Sequence, residues 1–163
     1  MKGVRRLAGT YRASPVKISG SKHLPPDAAT VAGHVEDMCE WIESNWETRS
    51  AIQLAAYIMW RLNWIHPFDD GNGRTTRAVA YLVLSAKSGH RLPGSPTIPE
   101  QIANEKSSYY AALEEADAAH DGEDYNLNAM EELLRTYLAR QLKAAFDDAD
   151  RTELEGAAER KFH

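Results

Sequence analysis

Apolar side chains recur every three to four residues over most of this chain, the spacing that turns one face of an α-helix toward a core. After Pro25-Pro26-Asp27 the stripe Val31, Val35, Met38, Cys39 and Ile42 predicts a helix to about Asn45, with Cys39 in the core. A second helix is predicted over roughly Arg49–Trp64. Leu54, Ala55, Ile58, Met59 and Leu62 line one side of it, while Ala51, Ala56 and Trp60 cover much of the rest. A helix apolar nearly all round belongs at the centre of a bundle. Pro67 ends it, because the residue before a proline avoids helical geometry.

A third helix is expected from about Asn72 to just before Gly89, with Ala78, Tyr81, Leu82 and Ala86 as its core stripe. Thr97-x-x-Glu100 has the form of a capping box for a fourth, which continues with a break through Tyr109, Tyr110 and Leu113. A loop is expected over 120–126, then helices at about Leu127–Phe146 and Arg151–Lys161. The one β signal is the alternation around Val16 and Ile18 within residues 10–20, read as a short strand or hairpin. Nothing resembling a linker or repeat divides the chain. The expected architecture is therefore a single all-α domain over 1–163 with a small β-hairpin.

Composition narrows the function classes. At 163 residues, with 43% hydrophobic and 26% charged, the chain can bury a substantial core. Its longest apolar run, near Ile58–Ile65, is interrupted by Arg61 and Asn63, which argues against a membrane span. The single cysteine forms no internal disulfide and fits a reducing compartment. No secretory h-region follows the basic start, and the expected location is the cytoplasm, with delivery into a host cell left open. The net charge of −5 conceals a gradient: residues 1–24 hold six Lys/Arg and no acid, whereas 113–163 hold fourteen acids against six bases. That acidic end argues against a nucleic-acid partner. The basic start is either a solvated terminus or faces a phosphate-bearing ligand.

Candidate chemistry sits between the second and third helices, in His66-Pro-Phe-Asp-Asp-Gly-Asn-Gly-Arg-Thr-Thr-Arg77. Gly71 and Gly73 let the backbone approach a ligand closely where a helix begins, so free N–H groups and the positive end of the helix dipole converge. Arg74 and Arg77 share one face of the first turns and can hold phosphate oxygens together. Asp70 beside them suits Mg²⁺, the companion of a polyphosphate. His66 can accept a proton near neutral pH. Phe68 is expected to plug the core and anchor the loop. Base, metal ligand, anion cradle and paired arginines are the parts that phosphoryl-type transfer needs. The other histidines, His23, His34, His90, His120 and His163, lack helical partners and read as surface or capping residues.

The segment resembles the Fic-family signature His-x-Phe-x-(Asp/Glu)-Gly-Asn-Gly-Arg-x-x-Arg, with all eight specified positions met. Gly9-Thr-Tyr-Arg12 and Val16-Lys-Ile-Ser-Gly20, followed by Pro25-Pro26, look like the family's flap hairpin. Ser108-Tyr-Tyr-Ala-Ala-Leu113 looks like its adenosine-side helix. The resemblance implies a Fic-type helical bundle and adenylylation: AMP passes from ATP to a Ser, Thr or Tyr hydroxyl of a target protein and pyrophosphate leaves. His66 would then be the general base, and Asp70 would hold Mg²⁺ between the α- and β-phosphates. Asn72 and the Gly71 and Gly73 amides would stabilise the α-phosphate, and Arg74 and Arg77 the β- and γ-phosphates. Ile18, Ser19 and Gly20 would cover the nucleotide while the target docks on the flap as an added strand. Tyr109 would lie near the adenosine, with Asp117 two turns on where an amide is expected.

Gly73 stands where kinase relatives of the Doc type carry lysine, which favours nucleotidyl over phosphoryl transfer. UMP transfer, AMP removal and phosphorylation stay open within the family, as does a non-catalytic nucleotide-binding module. The family's inhibitory motif, (Ser/Thr)-x-x-x-Glu-(Gly/Asn), is not met upstream of the flap, and Thr152-Glu-Leu-Glu155-Gly156 is one residue short of it. Since a helix turns about 100° per residue, that offset misdirects the glutamate. The resemblance therefore implies either a separate inhibitory chain, as in toxin–antitoxin systems, or a fragment of a longer protein.

Overall fold

The computed structural model describes residues 9–120 and 124–160, with side chains up to residue 152. Asp27 caps a single 3-10 turn at Ala28–Thr30, its carboxylate accepting from Ala29 N–H at 2.8 Å, and α1 (Val31–Asn45) follows. Ser50 and Gln53 form a reciprocal capping box that opens α2 (Ala51–Ile65). Then come α3 (Asn72–Lys87), α4 (Ile98–Asn104), α5 (Ser107–Ala119) and α6 (Asn128–Arg160). Helix α2 is the axis of the bundle, as its pattern predicts: every residue from Leu54 to Trp60 is buried, and α1, α3, α5 and α6 pack around it. Among the described residues, no helix is long and apolar enough to cross a membrane.

Several expectations are corrected. Residues 10–20 contain no strand: the segment runs as bends and irregular backbone, closed by a turn in which Ser21 N–H donates to Ile18 O at 3.2 Å. Two short arms with no neighbouring sheet make a marginal hairpin, and Pro15 removes a ladder donor from one of them. The core stripe of α3 is the line Asn72, Thr76, Ala80, Leu84, four residues apart, whereas Ala78 and Ala86 are exposed and Leu82 is 66% exposed. Half of that buried line is polar, so a hydrophobicity count picks the wrong face. Cys39 is exposed, one position off the Val31/Met38 stripe; its place at the core edge goes to Trp41, stacked on Tyr57 at 3.7 Å between ring centroids.

The two expected C-terminal helices are one. No glycine or proline interrupts residues 146–151, and charged pairs one turn apart, Lys143–Asp147 at 2.6 Å and Arg151–Asp148 at 3.7 Å, carry the helix through. Glu155 and Gly156 of the near-match to the inhibitory motif lie where side chains are not described. The basic residues before Gly9, residues 121–123 of the expected loop and His163 also fall outside the described residues.

A buried amide locks α6 to the rest. Gln141 is fully buried, accepts from Ile98 N–H at 3.0 Å, and donates to Tyr81 Oη at 2.8 Å and Pro93 O at 2.9 Å. Gly94, at φ 91°, presses against it so closely that a Cβ would lie 2.1 Å from Gln141 O. This clamp fixes the α3–α4 connection, and with it the helix that opens at the candidate site.

Candidate active site

Pro67 denies His66 right-handed geometry, and His66 instead caps α2 in the left-handed region at φ 51°, ψ 58°. Its N–H still reaches back to Leu62 O at 3.1 Å. Its Nδ1 sits 3.3 Å from Asn63 O, which can only accept, so the proton resides on Nδ1 and Nε2 keeps its lone pair. Burial lowers the His66 pKa. The hydrogen bond to Asn63 opposes this, and the nearby Arg12 and His23 reinforce it. The site thus holds a neutral imidazole with a free acceptor nitrogen, the state a general base requires.

The loop after His66 is held by one side chain. Phe68 N–H donates to Asn72 Oδ1 at 2.8 Å, and Asn72 Nδ2 donates to Phe68 O at 2.7 Å. Both ends of the buried amide are therefore engaged on loop backbone. Phe68 itself is half-buried, its ring 6.0 Å from that of Tyr11. Gly71, at φ 86°, is the N-cap of α3 and supplies no side chain, so the first-turn N–H groups of α3 are left for a ligand. Asp70 and Arg74 are both exposed and paired at 3.2 Å, and Gly71 N–H donates to the other Asp70 oxygen at 2.6 Å.

Two cavities of about 300 Å³ each meet at this loop. One is polar and lies over the α3 N-terminus, lined by Asp70, Gly71, Asn72 and Arg74. The other is mostly apolar and runs between the flap segment and α5, lined by Ile18, Ser19, Gly20, Tyr109 and Asp117. His66, Gly73, Arg77 and Tyr110 border both. The residues singled out from sequence thus come together in one bipartite cleft, apart from Phe68, which supports the loop from outside.

Deeper in the apolar cavity, Asn63 Nδ2 donates to Tyr109 Oη at 2.5 Å, and burial raises the Tyr109 phenol despite that bond and Arg77 nearby. Asp117 accepts from Trp60 Nε1 at 2.9 Å, and its second oxygen lies 3.9 Å from His23 Nδ1.

His23 does more than the capping expected of it: its Nε2 donates to Trp64 O in the last turn of α2 at 2.8 Å, and the ring also lines the cavity. His34 and His120 meet the same Trp64 ring edge-on at 5.3 and 5.5 Å, while His90 is exposed as expected. Asn63, Trp64, Tyr110 and Leu113 were also missed. Asn63 carried a usable signal, being with Arg61 one of two polar side chains that interrupt the apolar run Ile58–Ile65. His23 carried none, because only the fold brings it to the end of α2.

Among the described residues no group of three or more His, Cys, Asp or Glu could hold a metal ion alone. A divalent cation here would need oxygens from a polyphosphate as well. Asp70, exposed at the rim of the anion cradle, fits that role, since Mg²⁺ commonly takes one or two carboxylates plus phosphate and water.

A sequence profile described as the Fic/DOC family matches residues 1–84, about half the chain. The chain belongs to the Fic/DOC family. Among relatives it is similar to "Protein adenylyltransferase Fic" of Nematostella vectensis, 36% identical over 78 residues, covering 47% of this chain and 18% of that one. The Drosophila melanogaster protein of the same description is 32% identical over 106 residues, covering 64% and 20%. The chain thus spans about a fifth of the length of these curated relatives. Among solved structures it resembles a Fic-domain-containing signaling protein from Bacteroides thetaiotaomicron. That match has TM-score 0.70 and 25% identity, over 87% of this chain and 56% of the other. A Fic family protein from Desulfovibrio desulfuricans gives TM-score 0.67 at 24% identity, over 93% and 44%, which supports the fold alone. The Fic domain is therefore built here from helices, with no strand among the described residues.

Proposed function

We propose that this Fic-family chain is a protein adenylyltransferase that moves AMP from ATP to a Ser, Thr or Tyr hydroxyl of a target protein. The observation that carries the reading is the bipartite cleft. A mostly apolar cavity suited to a nucleoside opens at His66 and Arg77 into a cradle of helix N–H groups and arginines suited to a polyphosphate. The adenylyltransferase names of the relatives supply the choice of ATP.

In this reading the nucleoside lies along Tyr109 and Asp117 beneath Ile18, Ser19 and Gly20. The α-phosphate sits over Gly71, Asn72 and Gly73, and Arg74 and Arg77 hold the β- and γ-phosphates. Mg²⁺, when bound at Asp70, would neutralise phosphate charge. The target hydroxyl oxygen attacks the α-phosphorus, its proton passes to His66 Nε2, and the bond to pyrophosphate breaks with the leaving charge held by the arginines. The target backbone would dock beside residues 10–20. Gly73 stands where kinase relatives of the Doc type carry lysine, and that resemblance favours AMP transfer over phosphorylation; a Cβ there would meet Arg77 Nη1 at 3.3 Å.

Incubation with each nucleoside triphosphate and Mg²⁺, followed by intact-mass measurement of the chain and of candidate targets, tests the proposal. ATP should add one AMP to a hydroxyl residue, and His66→Ala should abolish the addition while retaining ATP binding. Addition of a phosphate alone, or labelling that survives His66→Ala, would overturn it.

A further inference from the structure

Arg12 is 2% exposed, and among the described residues no carboxylate pairs with it. A buried, unpaired guanidinium is costly to desolvate, so its partners must be dense. They are all backbone carbonyls. Arg12 N–H donates to Pro67 O at 2.8 Å, its Nε to His66 O at 2.8 Å, and its Nη2 to Ile65 O at 3.3 Å. One residue thus receives three successive carbonyls centred on the catalytic histidine, where the negative end of the α2 dipole also favours a cation. The guanidinium also donates from Nη1 to Ser14 O at 3.2 Å, inside the flap segment, and from Nη2 to Pro26 O at 2.6 Å, between that segment and α1.

His66 is the non-glycine residue that the described chain holds at positive φ, a conformation that persists only when its surroundings impose it. We propose that Arg12 is the positioning residue of His66: it holds the histidine backbone in its left-handed turn and supplies the fixed positive charge beside the imidazole. A neutral donor could make the hydrogen bonds. The retention of a full charge at this depth is explained by the second task, since a cation here disfavours a second proton on the ring.

Other charges also face His66. His23 approaches from the segment before α1. Asp69 and Asp70 of the loop, with Arg74 and Arg77 of α3, lie along the polar cavity. Lys106, Tyr109, Tyr110, Glu114 and Asp117 line the cavities from the α5 side. Arg12 differs from these in being bonded to the His66 backbone itself.

The proposal rests on His66 acting as the base in the transfer proposed above, so its test includes a readout independent of any reaction. In nucleotide-free protein, the His66 ring proton resonance is titrated by NMR in wild type, Arg12→Gln and Arg12→Lys. Removing the charge should move the His66 midpoint to higher pH in Arg12→Gln, and Arg12→Lys should leave it near wild type. In the transfer assay both variants should lose kcat by about 10- to 100-fold, the scale of a small misplacement of a catalytic group, with nucleotide affinity nearly unchanged. The acid limb of the rate profile should shift upward in Arg12→Gln alone.

An unmoved His66 midpoint in folded Arg12→Gln, or equal losses of kcat and affinity in both variants, would overturn the proposal. If Arg12→Gln does not fold, wild-type kcat in Arg12→Lys overturns it instead. Absence of transfer in wild type would count against the adenylyltransferase reading, and the titration would still decide the role of Arg12.

Discussion

Asn72 and Phe68 hold each other through a reciprocal pair of hydrogen bonds, amide oxygen to backbone N–H at 2.8 Å and amide nitrogen to backbone carbonyl at 2.7 Å. The first turn of α3 is thereby tied to the loop that leaves His66, and this clamp sets the distance between His66 and the α3 N-terminus. Asn72→Asp keeps the acceptor for Phe68 N–H but turns an oxygen toward Phe68 O. The expected result is a loss of about 1–3 kcal/mol of stability, the cost of leaving a buried polar group unsatisfied, together with a fall of about 100-fold in labelling. Urea denaturation alongside the intact-mass assay measures both. Wild-type stability in the variant would show that the clamp is dispensable.

Two glycines make opposite predictions for the same substitution. Gly94→Ala places a Cβ 2.1 Å from Gln141 O at a backbone φ of 91° that alanine resists, so a loss of about 2–4 kcal/mol is expected. Gly33 lies in α1 with nothing within 4 Å of its would-be Cβ. Gly33→Ala should therefore gain about 0.5–1 kcal/mol from helix propensity. Denaturation midpoints of the two variants against wild type check the contrast, and equal shifts would contradict the close approach at Gly94.

Acid should destabilise this fold through two half-buried imidazoles. Burial and Arg61 lower the His34 pKa against the pull of Asp37, and burial lowers that of His66. Both folded values lie below the ordinary 6.5, so the unfolded chain binds more protons. The associated stability is present above about pH 6.5 and is lost as pH falls through the folded values. The drop in melting temperature between about pH 7.5 and about pH 5.5 should be smaller in His34→Asn than in wild type. An identical drop would place the acid sensitivity elsewhere.

What the sequence made legible follows from how local each signal was. The axis helix α2 could be read because its apolar surround and its Pro67 stop lie within one short stretch. That His66, the glycines and the arginines of residues 66–77 line a common cleft could be read for the same reason, since they fall within one short stretch. The buried face of α3 could not, because Asn72 and Thr76 occupy it for reasons of loop clamping and packing that a hydrophobic count does not register. His23 and Arg12 were illegible in another way. Each acts on α2 across more than forty residues, through carbonyls that every residue possesses and no sequence pattern advertises. The flap failed as a hairpin because the two apolar residues Val16 and Ile18, just after Pro15, do not amount to paired strands.

Gly73 gives a prediction that separates binding from folding. A Cβ at Gly73 would lie 3.3 Å from Arg77 Nη1, tighter than ordinary contact, and the part that must yield is the end of a flexible side chain. Gly73→Ala should therefore fold as well as wild type or slightly better, since alanine is the stronger helix former by about 1 kcal/mol. The displaced guanidinium leaves the place where the two cavities meet. Affinity for ATP should fall about 10-fold, the scale of one charge-assisted hydrogen bond, while affinity for adenosine, which has no phosphate for Arg77 to hold, should change little. Titration calorimetry with ATP and adenosine on both proteins makes the comparison. Equal losses for the two ligands would mean that Gly73 shapes the nucleoside cavity, and unchanged ATP affinity would remove Arg77 from the phosphate site.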